Sequence, residues 1–307
     1  MKKMVKKIIN RLSKINIDLT KNYKLYRNFN KLVHIDLFNH KCTINNDEVI
    51  INDSYIKVRT YAAKKLNSKA IIYFHGGGFV HGNVDSYNRI CSKIALKTNC
   101  LVISVDYKLA PEYKFPIALE ECYELVKKLS TDLKINKYKF KKIILMGDSA
   151  GGNLAGAISL MSSEKKEFKI ESQILIYPVT YYDHSESSKF LSVIKNGNDW
   201  LLTNKKIDEY FSLYVSDEKD LKNPYISLIL SKKLFNQPKT LIITAELDPL
   251  KDEGIEFAKI LKKNNNQVYT YCIKDTIHGF FNYSFFKKQI DETFEYICEF
   301  LSDKSPY

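Results

Sequence analysis

The chain has little of what marks several protein classes. No uncharged apolar run approaches the about 18–20 residues of a membrane-spanning helix, so stable membrane insertion is not expected. After Met1 the charges continue through Lys14. A secretory signal needs an apolar stretch of about 7–15 residues there, so a cytoplasmic location with reduced thiols is expected. The cysteines (Cys42, Cys91, Cys100, Cys122, Cys272, Cys298) are scattered, with no C-x-x-C pair. That spacing excludes a zinc cluster or a small disulfide scaffold, and no metal site is expected. Arginine is also scarce. Lys+Arg total 48, yet only Arg11, Arg27, Arg59 and Arg89 are arginine. The net charge of +13 would suit an anionic partner, but phosphate readers favour the bidentate arginine fork. Lys, Ile and Asn are abundant together, the mark of a composition bias, so no nucleic-acid partner is expected.

What is present is ordinary for a folded enzyme. Hydrophobic residues make up 45% and charged residues 27% of 307 residues. At about 150 residues per domain this length allows two domains, but one large α/β domain with a smaller appendage fits as well. Residues 1–31 hold ten Lys or Arg and one acid, Asp18. Met4, Val5, Ile8, Ile9, Leu12 and Ile15 fall on one helical face opposite Lys6, Lys7, Arg11 and Lys14. This amphipathic helix is expected to pack on the protein body; an anionic membrane surface is the alternative.

From residue 54 the chain alternates. Apolar, β-branched runs occur at 55–61, 69–74, 100–105, 141–146, 172–177, 239–245 and 268–273, and a short run near 42–44 could start the series. Helix-length amphipathic segments lie at 85–98, 116–130, 150–163, 251–264 and 285–302. The pattern predicts a mostly parallel sheet of about eight strands with helices on both faces. Residues 179–237 interrupt it with a polar, aromatic stretch that includes Tyr181, Tyr182, Phe190, Trp200, Tyr210, Phe211 and Tyr214. Such long insertions are often lids or binding regions.

Chemistry concentrates at the ends of the predicted strands. Gly147-Asp148-Ser149-Ala150-Gly151 joins the strand at 141–146 to a helix, the setting of a nucleophile elbow. A tight turn there lifts the serine hydroxyl clear, and the helix N-terminus favours negative charge. His75-Gly76-Gly77-Gly78 follows the strand at 69–74, and its freed backbone could aim N–H groups at an oxyanion. A phosphate loop is excluded because no Lys-Ser/Thr follows. His75 reads as structural. Asp248 follows the strand at 239–245, and His278 follows the strand at 268–273. Glu246, Asp252 and Asp275 are rival acids, Asp275 being the strongest because it is close to His278. His34, His40, His81 and His184 read as surface or structural residues.

These motifs, HGGGFVHG (75–82), DYKLAPEYKFPIALEE (106–121), GDSAGGNLA (147–155), AELDPLKDEG (246–254) and IHGFFN (277–282), resemble the hormone-sensitive-lipase-like esterases, which include bacterial acetyl esterases. The resemblance implies an α/β-hydrolase fold with a helical cap. It divides the chain into N-terminal cap helices (1–50), a core (51–178 and 238–307) and a cap insertion (179–237). It implies Ser149 as nucleophile, His278 as base and Asp248 as its orienting acid. The N–H groups of Gly76, Gly77 and Ala150 would form the oxyanion hole, with Phe79, Tyr177 and Trp200 binding substrate. The activity implied is hydrolysis of short-chain acyl esters, a small-molecule substrate, with no cofactor. It should fall as the imidazole protonates, below about pH 6–7. An amidase or deacetylase using the same groups, and a non-catalytic ligand-binding module, are the alternatives. Whether the protein is a homodimer is left open.

Overall fold

The computed structural model describes residues 17–33, 41–51, 54–131 and 140–302. Eight strands form one sheet: β1 (Thr43–Ile51), β2 (Ser54–Ala62), β3 (Lys69–Phe74), β4 (Leu101–Asp106), β5 (Lys142–Asp148), β6 (Ser172–Ile176), β7 (Lys239–Leu247) and β8 (Val268–Ile277). Their spatial order is β1-β2-β4-β3-β5-β6-β7-β8. Strand β2 runs antiparallel to both β1 and β4, and every later pairing is parallel. The α/β-hydrolase fold expected from the sequence is the fold observed. One boundary differs. Strand β1 puts the start of the sheet inside the stretch 1–50 assigned to cap helices. Its polar run at 45–48, and the exposed Ile50 between buried Val49 and Ile51, suit an edge strand with one face on the core. The amphipathic helix expected over residues 4–15 lies outside the described residues.

The central strands read as unbroken apolar runs because both faces are covered. On β3, Ala70, Ile72 and Phe74 enter one core, and Ile71 and Tyr73 enter the other. The first core is closed by helices α3 (Ile117–Thr131), α4 (Ala150–Lys165) and α7 (Lys251–Lys263), through Leu125, Leu154 and Phe257. The second is closed by α2 (Asn88–Thr98) and α8 (Lys287–Leu301), through Ile94, Phe294 and Ile297. Among the described residues no helix is long and apolar enough to cross a membrane.

Beyond the sheet lie α1 (Leu19–Val33), α5 (Leu191–Asn196) and α6 (Asn204–Tyr214). The start of α1 docks on α6, where the Leu19 N–H donates to Glu209 Oε2 at 3.1 Å. Arg27 of α1 grips Glu112 with both terminal nitrogens, at 2.9 and 2.7 Å. The same guanidinium donates to the carbonyls of Val80 and Ala110, each at 2.6 Å. This planar fork is the geometry lysine cannot supply.

Candidate active site

Sheet register brings the motifs together. Phe74 pairs with Gly147 and Asp148 pairs with Ile176, so the segments after β3 and β5 leave the sheet side by side. Strands β7 and β8 shift register after Ala245 and pair again at Leu247–Ile277. The next residues of those strands are Asp248 and His278.

At the β5–α4 turn Ser149 takes φ 54° and ψ −121°. For a residue with a Cβ this backbone costs roughly 1–3 kcal/mol, so its surroundings must hold it. The Ser149 N–H donates to the Ile176 carbonyl at 2.9 Å, and its own carbonyl accepts from Asn153 N–H at 3.0 Å. The turn also demands glycine: a Cβ on Gly151 would lie 2.0 Å from the Phe74 carbonyl oxygen.

Ser149 Oγ lies 2.8 Å from His278 Nε2, and His278 Nδ1 lies 2.7 Å from Asp248 Oδ2. A carboxylate only accepts, so Nδ1 carries the ring hydrogen and Nε2 is left to take a proton from serine. Asp248 is fully buried. Its other oxygen, Oδ1, accepts from the Leu250 N–H at 2.9 Å, which fixes the carboxylate plane. The rival acids are engaged elsewhere. Glu246 accepts from Lys274 and from the Asp275 N–H, and Asp252 accepts from the Ser192 N–H.

The oxyanion assignment needs one correction. The Gly76 N–H donates to Asp148 Oδ1 and to the Tyr87 hydroxyl, each at 3.0 Å, so it faces into the protein. The glycines on the cavity wall beside Ser149 and Ala150 are Gly77 and Gly78. Gly77 has φ 118°, a backbone open to glycine, and a Cβ there would meet the His81 carbonyl oxygen at 2.0 Å. His75 is buried and stacked on Tyr107, with ring centroids 4.3 Å apart. Burial keeps its imidazole below its ordinary pKa, as befits a structural residue.

A cavity of about 150 Å³ opens on Ser149 and His278. Phe79 lines it and stacks on Tyr214, with centroids 3.8 Å apart. The other two aromatic expectations are corrected. Tyr177 sits behind His278, with centroids 4.8 Å apart, and Trp200 is packed into the second core. Neither is on the cavity wall, where Val179, Leu201 and Leu202 appear instead. His81 also lines the cavity, its Nε2 lying 2.9 Å from the Tyr210 hydroxyl, with Tyr26 edge-on to the ring. Tyr210 and Phe211, named in the interval 179–237, complete much of the wall with Tyr26, Lys206, Ile207 and Tyr283, which were not singled out from sequence.

Two buried acids were also missed. Asp148, the residue before the serine, accepts from Tyr73 and Tyr87 as well as Gly76. Burial raises its pKa, against the opposing effect of those donors. The sequence signal was an acid ending an otherwise apolar strand, which requires buried donors. Glu253 Oε2 lies 2.7 Å from His184 Nε2, both side chains being fully buried. Its Oε1 accepts from the N–H groups of Thr180 and Tyr181, which tie down the chain leaving β6. Burial opposes charge on His184, but the Glu253 carboxylate outweighs it and raises the imidazole pKa. A raised folded pKa stabilises fully below the unfolded value near 6.5, and that contribution is lost as pH rises through the folded value. Glu253→Gln is therefore expected to cost about 3–5 kcal/mol in urea unfolding at pH 6, and less at pH 9.

The chain is similar over most of its length to known α/β-hydrolases and esterases. A family described as alpha/beta hydrolase fold matches residues 71–282. An arylesterase of Saccharolobus solfataricus is 33% identical over 237 residues, 76% of this chain and 75% of the relative. An ethyl acetate hydrolase of Pseudomonas putida is 29% identical, over 77% of this chain and 73% of its own. A solved esterase of the archaeon Pyrobaculum calidifontis superposes with a TM-score of 0.89 at 29% identity, covering 98% of both chains. With two thirds of the chain inside the family match and a third of aligned residues shared with an esterase, this chain belongs to the hormone-sensitive-lipase-like branch of the α/β-hydrolases, a family of carboxylic ester hydrolases.

Proposed function

We propose that the protein is a serine esterase for short acyl chains, working through an acyl-enzyme at Ser149. The observation that carries this reading is the Ser149–His278–Asp248 relay, at 2.8 and 2.7 Å, on the wall of a small cavity. His278 Nε2 takes the serine proton as Oγ attacks the ester carbonyl. The imidazolium that forms is stabilised by Asp248. The tetrahedral oxyanion is held by the N–H groups of Gly77, Gly78 and Ala150, the first two beside Ser149 on the wall and the third at the start of α4. His278 then protonates the leaving alcohol, and water repeats the cycle on the acyl-enzyme.

Size supports the acyl preference. A cavity of about 150 Å³ falls below the ~300–1,000 Å³ of pockets that take drug-sized ligands. The relative that hydrolyses ethyl acetate points the same way. The interval 179–237 and α1 act as the cap, since Tyr26 of α1 and Ile207, Tyr210 and Phe211 of α6 close the cavity.

The test is a ladder of p-nitrophenyl esters from acetate to palmitate. kcat/KM is expected to peak within about two to six acyl carbons and fall beyond. A steady rise to palmitate overturns the short-chain reading. A fluorophosphonate should label Ser149; an unlabelled, folded protein points to a ligand-binding module instead.

A further inference from the structure

Among the described residues, Lys206 is the one Lys or Arg on the cavity wall. It is the third residue of α6, whose first turn contains no acid. A cation there opposes the positive end of the helix dipole. Thr203 caps the same turn, its hydroxyl accepting from the Lys206 N–H at 3.3 Å. The neighbouring Lys205 has Glu209 one turn on, at 3.9 Å. The Lys206 ammonium instead donates to a neutral group, the Leu201 carbonyl, at 3.1 Å. Glu209 acts on it only through space, and its own oxygens are already shared by Lys205 and the Leu19 N–H. The one acid on the wall, Asp148, is committed to Tyr73, Tyr87 and Gly76. The cavity thus holds a half-buried cation that no acid among the described residues contacts directly.

We propose that Lys206 selects esters carrying a second, anionic carboxylate close to the scissile carbonyl, such as monoesters of short dicarboxylic acids. Such a carboxylate would meet the two ammonium hydrogens that Leu201 leaves unused. The bare hydrocarbon of an acetyl or butyryl ester leaves them unanswered. Burial supports the assignment: desolvation holds the lysine below its ordinary pKa, and an anion in the cavity would restore it. The proposal rests on the esterase reading and names its substrate class.

The test compares matched esters on the intact enzyme. Mono-4-nitrophenyl glutarate is set against 4-nitrophenyl butyrate, which carries the anion on the acyl side or nowhere. 4-Acetoxybenzoate is set against its methyl ester, which does the same on the alcohol side. Wild type should favour the anionic member of at least one pair in kcat/KM. Lys206→Met should cut that anionic-to-neutral ratio about 10- to 100-fold, the scale of a charged hydrogen bond, and Lys206→Arg should retain most of it. A ratio that Lys206→Met leaves unchanged, with neutral esters still turned over, overturns the role of Lys206 alone. No turnover of any ester by folded wild type overturns the esterase reading beneath it.

Discussion

Ser149→Ala and His278→Ala are each expected to lower kcat by about 10⁶, and the double variant to lose no more than either alone. Non-additivity is the informative part. With no serine oxygen to activate, the imidazole has nothing to do, and without the imidazole the hydroxyl is too weak a nucleophile at neutral pH. Asp248→Asn should cost about 10⁴ for a reason written in the local geometry. Asp248 Oδ1 accepts from the Leu250 N–H at 2.9 Å, so an asparagine there must place its oxygen toward Leu250. Its NH₂ then faces His278 Nδ1, which must accept. That forces the ring hydrogen onto Nε2, the atom 2.8 Å from Ser149 Oγ. Steady-state kinetics on a short p-nitrophenyl ester check all four variants. Losses that multiply in the double variant would mean that Ser149 and His278 act separately.

The strands and helices of the core were legible because each carries its own local signal. Runs such as KAIIYF and SQILI are apolar without alternation, which a sheet covered on both faces requires. The choice of acid was only half legible. Asp275 is nearer His278 in sequence, but it takes φ 56° at the irregular end of β8 and donates its N–H to Glu246. The Leu247–Ile277 pairing brings Asp248 to the ring instead, and pairing between strands is a long-range fact. The glycine motif had the same limit. Three glycines announce a backbone free to turn inward, but not which N–H faces the cavity. That is decided by Tyr87 and Asp148, distant in sequence, which claim the Gly76 N–H. The expectation drawn from the resemblance failed on two of the aromatics. Trp200 and Tyr177 looked like pocket walls because large rings bind apolar groups, yet such rings as often fill a core, and both do.

Asp148 is where fold and chemistry meet, and its removal is the second large loss expected. Its Oδ1 accepts from Tyr73 at 2.8 Å and from the Gly76 N–H at 3.0 Å, and its Oδ2 accepts from Tyr87 at 2.9 Å. One carboxylate thereby ties the residue before the nucleophile to the loop that carries Gly77 and Gly78. Asp148→Ala leaves the Tyr73 and Tyr87 hydroxyls without an acceptor, at about 1–3 kcal/mol each, and leaves the Gly76 N–H only the Tyr87 oxygen, which frees the loop from the elbow. kcat should fall about 10²–10³, the loss seen when an oxyanion donor is misplaced, while KM changes little. Asp148→Asn is the gentler probe. Its oxygen can still serve Tyr73 and Gly76, and its NH₂ can donate to the Tyr87 hydroxyl, whose own hydrogen must then turn away. A loss of about tenfold in kcat, with the fold intact by thermal unfolding, is expected. If both variants instead raised KM at unchanged kcat, Asp148 would be shaping the cavity and not the oxyanion loop. The difference is decisive because the tetrahedral oxyanion exists only after Ser149 has attacked, so a residue that acts through the loop must show itself in turnover and not in binding.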